Sequence, residues 1–423
     1  MPAGAVNRMP LQPGKCGASG AVGYSVTKSS TMMLDAAKRL FSASHRSDVP
    51  PFMVMDVVAA AARIEEAGGR VIHMEVGQPA APAPAAAIAA ARTALGGRLA
   101  YTESLGIRPL RERIARYYRD TYKLDVAADR IVITTGSSAG FILAYLAAFN
   151  PGDRVAFAVP GYPPSRHILT ALGCESVLIE TGADTRYALT GEALLAAHRK
   201  SPLKGVLVAS PANPTGTMMT PQALSDLVKT AEDAGIRVIS DEIYHGLDYA
   251  FPAETALHFS SDVIVANSFS KYFCMTGWRV GWLVLPEDLV RPVDRLQQNL
   301  AISVPTLSQI AAQAAFDGRD EMEEVKHGYE RNRRILVDGL PRTGLDKFLP
   351  VDGAFYLYAD VSHYTIDSFD FAKRLLEQAG VAVTPGVDFD PFLGNKFIRL
   401  CYAGSESEMH EAIERIGGWL GRL

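Results

Sequence analysis

Between residues 130 and 286 the chain repeats one pattern seven times: a short, nearly unbroken apolar run closed by Gly, Pro, Asp, Glu or Ser. The runs are RIVITTG, DRVAFAVP, ESVLIE, KGVLVASP, IRVISDE, DVIVANS and RVGWLVLP. A strand with one wet face alternates apolar and polar residues; a strand covered on both faces has no reason to. These runs scarcely alternate, so each reads as a strand of about four to eight residues buried on both sides. Segments of helical period lie between them. In TPQALSDLVKTAEDAGI, Thr220 offers an N-cap, Pro221 the first helical position, and Gly235 the exit. Leu224, Leu227, Val228 and Ala231 form its apolar stripe. The alternation specifies an α/β fold: a large, doubly wound, mostly parallel seven-stranded sheet with crossover helices on both faces.

The flanks carry a different mixture. MVMDVVAAAARIEEA (53–67) has helical spacing and stops at Gly68-Gly69, APAPAAAIAAAR is a Pro-rich entry to a helix, and RPLRERIARYYRDTY (108–122) is a further helix. A long helical region over roughly 290–340 precedes GAFYLYADV, FDFAKRLLEQAG, KFIRLCYA and SESEMHEAIERIGGWL, in which Ser405 and Glu408 make a capping box. A single core stops growing at roughly 250–300 residues, so a chain of 423 is expected to divide. The expected division is a 1–45 tail, a 46–95 segment contributing to a small domain, a large 96–325 domain and a small α+β domain at 326–423. The first 34 residues lack Asp and Glu, carry Arg8, Lys15 and Lys28, and are rich in Gly, Ser and Ala. That composition suits an organelle-targeting peptide. Without amphipathic periodicity, the expectation is a disordered tail or an upstream start, with Met32 or Met33 as the alternative first residue.

Composition narrows the function. With 48% hydrophobic and 21% charged residues and a formal net charge of -4, the chain is globular and lacks a basic face for nucleic acid. No apolar run approaches the ~20 residues of a membrane span. Cys16, Cys174, Cys274 and Cys401 stand apart with no CxxC pair, which argues against zinc and a disulfide framework and fits a reducing, cytoplasmic compartment. No GxGxxG opens a helix after a strand, which argues against a nicotinamide dehydrogenase.

Ligands of open α/β sheets lie beyond the carboxyl ends of the strands. At those ends stand Asn213 in SPANPTG, Asp241 and Tyr244 in SDEIYHG, Ser268 and Lys271 in NSFSK, and then Arg279. Each has a plain account alone: a turn, a helix cap, a core aromatic, a solvated lysine, a surface ion pair. Their convergence is what calls for chemistry. SPANPTG, SDEIYHGLDY and NSFSKYFCMTGWRVGW resemble the pyridoxal-phosphate-dependent class I/II aminotransferases of the aspartate aminotransferase superfamily, fold type I. Fainter likeness runs from HMEVGQP near 73 to FIRLCYA near 402.

The resemblance implies roles. Lys271 matches the Schiff-base lysine and general base, and Asp241 the carboxylate partner of the pyridine nitrogen. Tyr244 and Asn213 match the groups that hydrogen-bond the ring's phenolic oxygen, and Tyr162 the aromatic stacked on the ring. Gly136, Ser137 and Ser138 stand where a helix N-terminus receives the phosphate of pyridoxal 5'-phosphate, with Ser268 and Arg279 as further donors. Tyr101 matches a tyrosine that reaches the phosphate across a homodimer interface. Arg399, Gly77 and Asn213 match the groups that hold the substrate α-carboxylate. His245 is assigned to packing. QQNLAISVP lacks the arginine with which dicarboxylate-specific members bind a second carboxylate, so an uncharged or aromatic amino donor is expected. The activity implied is amino-group transfer between an α-amino acid and a 2-oxo acid. A carbon–sulfur β-lyase built from the same residues stays open. So does a non-catalytic sensor domain, although regulators of that kind carry a basic winged-helix module for which the 50-residue leader is too short.

Overall fold

All seven expected runs become strands of one sheet in the computed structural model, which describes residues 43–349 and 351–423. The expectations for the leader, Met32 and Met33 included, lie outside the described residues. After a short β1 (Ile72–His73) come β2 (Ile131–Thr134), β3 (Arg154–Val159), β4 (Glu175–Glu180), β5 (Gly205–Ala209), β6 (Arg237–Asp241), β7 (Ile264–Ser268) and β8 (Gly281–Val284). The sheet order is β2-β8-β7-β6-β5-β3-β4. Only β8 runs against its neighbours, antiparallel to both β2 and β7. The two-sided burial read from the runs is explicit: Ile131 and Ile133 of β2 enter one apolar core, and Val132 between them enters another. Helices Ala85–Leu95, Arg108–Tyr122, Gly191–Lys200, Pro221–Asp233 and Thr306–Ala315 cover the first face. Gly136–Ala148, Pro163–Ala171 and Glu287–Leu300 cover the second.

Local signals hold where they were specific. The Thr220 hydroxyl accepts from the Ala223 N–H at 3.2 Å and Pro221 opens the helix, a cap worth about 1 kcal/mol. Ser405 and Glu408 form the capping box of the last helix, Glu406–Leu420. The helical region over 290–340 consists of three helices, Glu287–Leu300, Thr306–Ala315 and Arg319–Gly339. Pro305 and Gly318 mark the breaks, the first lacking a donor and the second too permissive to continue a helix.

A second core joins Leu336, Tyr356, Phe371, Leu375, Met409 and Trp419. Its sheet is β9 (Tyr356–Asp360) with β11 (Thr384–Pro385) and β12 (Phe397–Cys401), in the antiparallel order β11-β12-β9. β10 (Val381–Ala382) pairs in parallel with β1, tying the region before the large sheet to the region after it. Residues Asp48–Leu423 make one compact unit, and the boundary expected at 325/326 falls inside the helix Arg319–Gly339. Among the described residues no helix is long and apolar enough to cross a membrane.

Candidate active site

The reversed strand β8 brings two ends of the sheet chemistry together. Gly281 is in register with both Thr134 of β2 and Ser268 of β7, so the residues just before it meet those just after β2. There the helix Gly136–Ala148 begins. Its N-cap residue Thr135 makes no side-chain capping bond, so the first-turn N–H groups are left for another acceptor. Gly136 has φ +72, and a Cβ on it would stand 2.4 Å from the Arg279 Nη2. Glycine is therefore demanded twice, by the backbone and by the guanidinium laid against it. Arg279 donates from Nη1 to the Thr276 carbonyl at 3.0 Å. Helix N-terminus and arginine together make a place for an anion.

Asp241 ends β6 and is 4% exposed; its Oδ1 accepts from the Ile243 N–H at 3.3 Å. Burial pushes its carboxyl up to about 7. Lys271 follows β7, and its amine donates to the Gly77 carbonyl at 2.5 Å and lies 5.7 Å from the Tyr244 ring centroid. Burial pulls this amine down to about 8, with the help of Arg399 and Arg279 and against Cys401 and Asp241. Near neutral pH the amine is thus far easier to deprotonate than an ordinary lysine. Gly77 is fixed as glycine because a Cβ there would fall 1.7 Å from the Tyr356 hydroxyl, which itself bonds the Tyr244 hydroxyl at 2.7 Å.

Arg399 lies in the middle of β12, opposite Thr384 and Tyr358, and is 2% exposed. Nη1 donates to Asn213 Oδ1 and Nη2 to Thr384 Oγ1, both at 3.0 Å, and Nη2 also reaches the Glu75 carbonyl. Its guanidinium carbon sits 4.4 Å over the Tyr356 ring. Nε has no partner. Among the described residues neither Arg399 nor Arg279 has a carboxylate within ion-pair distance, and Asp241 has no cation. Burying a charge without its opposite, as at Arg399 and Asp241, costs several kcal/mol, so such groups are kept where a ligand supplies the counter-charge; Arg279 is solvent-exposed and bears no such cost.

One cavity of about 220 Å³ collects Gly77, Ser137, Ser138, Tyr162, Asn213, Asp241, Tyr244, Lys271, Arg279 and Arg399. Gly136 stands behind its wall against Arg279. Ser268 does not line it. The Ser268 hydroxyl is turned to Ser270 Oγ at 2.9 Å and the Val280 carbonyl at 3.3 Å, and Ser270 takes the place in the wall. Tyr101 is 81% exposed on the outside. His245 is held in packing: one ring nitrogen faces the Ser210 carbonyl at 3.0 Å and the other the Tyr122 hydroxyl at 2.7 Å, and burial pulls it down to about 4. Sequence reasoning missed the apolar rim of Phe52, Val54, Met55 and Val76, and it missed Tyr356. Only Tyr356 left a signal, since GAFYLYADV carries more tyrosine than an interior strand needs.

A sheet whose strand ends bring a half-buried lysine, a buried acid and Arg279 into one cavity with Arg399 of the smaller sheet defines an α/β enzyme of the fold type I class. Residues 70–416 match the family "Aminotransferase class I and II", and the chain belongs to it. It is 49% identical over 380 residues, 89% of this chain and 97% of the relative, to the valine–pyruvate aminotransferase of Mycobacterium tuberculosis. It is 34% identical, over 88% of this chain and 97% of the relative, to the (5-formylfuran-3-yl)methyl phosphate transaminase of Methanocaldococcus jannaschii. A crystal structure of an aminotransferase from Mycobacterium tuberculosis superposes with a TM-score of 0.88 at 48% identity, covering 90% of this chain and all of that one. The protein is an aminotransferase. Of the readings left open by the motifs, transfer is the one these relatives share.

Proposed function

We propose that this enzyme moves an amino group from an apolar α-amino acid to a small 2-oxo acid, with pyridoxal 5'-phosphate as cofactor, as a cytoplasmic homodimer. The observation that carries the proposal is the sharing of one cavity by Lys271, Asp241 and two arginines without carboxylate partners. These groups fit the cofactor and substrate sign for sign. The uncapped helix end, Ser137, Ser138, Ser270 and Arg279 suit a phosphate dianion, Asp241 a protonated ring nitrogen, Tyr162 a ring face, and Lys271 an aldehyde. When bound, the cofactor supplies that aldehyde and an electron-withdrawing ring that accepts the electron pair freed at the substrate Cα.

The chain's own residues do the rest. Lys271 Nζ, pulled down to about 8, holds the cofactor and then takes the proton from the substrate Cα. Asp241 keeps the ring nitrogen protonated, the state that a buried carboxylate favours once a cation faces it. Arg399, already oriented by Asn213 and Thr384, grips the α-carboxylate as a bidentate pair. Tyr244 and Asn213 polarise the ring oxygen. Gly77 brings backbone close to the carboxylate.

The apolar rim of Phe52, Val54, Met55 and Val76 supports an aliphatic side chain on the donor, as does 49% identity to a valine–pyruvate aminotransferase. The homodimer is supported by a surface cluster. Leu95, Leu99, Tyr101, Leu300 and Ile302 are each at least 45% exposed, and the Thr306 hydroxyl ties their two segments by donating to the Ala100 carbonyl at 2.5 Å. In that assembly Tyr101 reaches the partner's phosphate site. Residues 46–95 group with 326–423 as the small domain, supported by the pairing of β1 with β10.

The test is turnover in two halves. Valine alone should convert the enzyme-bound cofactor stoichiometrically to its aminated form, and pyruvate should return it. The Lys271→Ala variant should lose both conversions and the visible absorption of the attached cofactor. Full activity in that variant, or continuous ammonia release without a 2-oxo acid, would refute the proposal.

A further inference from the structure

Three residues of the apolar rim, Phe52, Val54 and Met55, stand at the start of the helix Met53–Glu66. A helix start leaves N–H groups without intrahelical acceptors, and a Ser, Thr, Asp or Asn at the N-cap normally takes one. Here the N-cap residue is Phe52, which has no side-chain oxygen; its ring instead meets Tyr162 edge-on with centroids 5.8 Å apart. The acceptor comes from the other end of the chain. Asp388 Oδ1 accepts the Met53 N–H at 3.4 Å. Asp388 is 3% exposed and its Oδ2 has no partner.

The turn that carries Asp388 is held from the large sheet. Arg166, in the helix that follows Tyr162, donates to the Asp388 carbonyl at 2.8 Å and the Phe389 carbonyl at 3.3 Å. A continuous strut therefore runs from the helix beside the cofactor-facing tyrosine, through the backbone at 388–389 and the Asp388 carboxylate, to the first turn of Met53–Glu66. The body of that helix has its own anchorage: Ala61 is buried with Val71, Leu376 and Ala382, with Val57, Ala60 and Ile64 packed beside them. Loss of the strut would free the first turn and leave the rest of the helix in place. That first turn is the part facing the cavity.

We propose that Asp388 is a positioning residue for substrate selection: by capping this helix from across the chain, it sets Phe52, Val54 and Met55 over the cavity and so fixes the fit of the donor side chain. The inference rests on the reading of the cavity as the site of an apolar amino donor. Valine carries two methyl groups beyond Cβ and alanine none, so valine is the donor expected to sense the rim.

The experiment measures kcat and KM for valine and for alanine in the wild type and in Asp388→Ala, Asp388→Asn and Met53→Pro. Asp388→Ala should raise the valine KM roughly five- to tenfold, the equilibrium weight of a lost cap, with kcat and the alanine KM changed by less than about twofold. Asp388→Asn keeps an acceptor oxygen and should restore most of the loss. Met53→Pro removes the donated N–H at a helix position that proline favours, and Phe52, at φ -89 and ψ 100, already has the extended backbone required before proline. This variant should move the valine KM in the same direction, and it carries the test if Asp388→Ala does not fold. A wild type that takes valine and alanine alike would overturn this proposal but not the apolar-donor reading, and one that takes neither would overturn both. A wild type that prefers valine, alongside Asp388→Ala that keeps the preference or loses both donors equally, would overturn the positioning role alone.

Discussion

Replacing Asp241 by Asn should make the cofactor-stripped protein more stable and the enzyme far slower. Burial raises the Asp241 carboxyl from its ordinary 3.8 to about 7. The folded protein then holds this proton more tightly than the unfolded chain does, so the group's contribution to stability declines as pH rises from about 4 to about 7. Above that the fold carries the full penalty of an ionised, unpaired carboxylate, about three pKa units at 1.36 kcal/mol each, or about 4 kcal/mol. Asparagine has no charge to bury and keeps an oxygen for the Ile243 N–H. Unfolding entropy near 2.1 cal/mol/K per residue gives a chain of 423 residues roughly 0.9 kcal/mol/K, so 4 kcal/mol corresponds to a Tm shift of roughly 4–5 °C. The amide's own desolvation takes back about half, leaving at least ~2 °C. The assay is thermal unfolding of cofactor-free wild type and Asp241→Asn at pH 8 and pH 5, with the shift at pH 5 less than half that at pH 8. With cofactor restored, kcat should fall by ~10²-fold or more, the scale set by removing a preorganised charge partner. An Asp241→Asn protein less stable than wild type at pH 8, or one whose advantage is the same at both pH values, would refute the placement of this acid in a dry cavity.

Three further outcomes are expected. Arg399→Lys keeps the charge and loses the paired donors, so it should raise the amino-acid KM by ~30–100-fold while cofactor absorption is unchanged, as read by steady-state kinetics and spectroscopy. Gly136→Ala forces a side chain into the left-handed region, at about 1–2 kcal/mol, and pushes on Arg279; cofactor affinity by equilibrium titration should fall at least ~10-fold. The rate at which cofactor-free enzyme captures the aldehyde should rise with pH through about 8 and then level, because the neutral amine of Lys271 is the attacking form; a rise continuing to the 10.5 of an ordinary lysine would mean the amine is solvated.

The large sheet was legible because its strands, the half-buried edge strand β4 apart, are buried on both faces, which writes a continuous apolar run into each. The reversal of β8 was not, since RVGWLVLP reads the same in either direction. Asn213, Asp241 and Lys271 could be found because they stand at strand ends, where topology confines them, whereas Arg399, in the middle of β12, was marked only by the likeness of FIRLCYA to the family. Which hydroxyl of SFSK faces the cavity was beyond reach: Ser268 and Ser270 differ only in how the turn after β7 rotates them. The rim was hidden for a different reason. Val54 and Met55 look like any apolar residues of an amphipathic helix, and the cap that orients them lies 335 residues further along the chain.

The cavity draws on segments made at very different times during synthesis. Helix end, acid, lysine and Arg279 have all left the ribosome 120 residues before Arg399 (279 to 399), and the Asp388 strut leaves only shortly ahead of it. At about 5–20 residues per second that interval is roughly 6–24 s. A nascent chain therefore carries every residue of the proposed cofactor cradle, and the rim residues themselves, before it owns either the arginine that grips the substrate carboxylate or the acid that caps the rim helix.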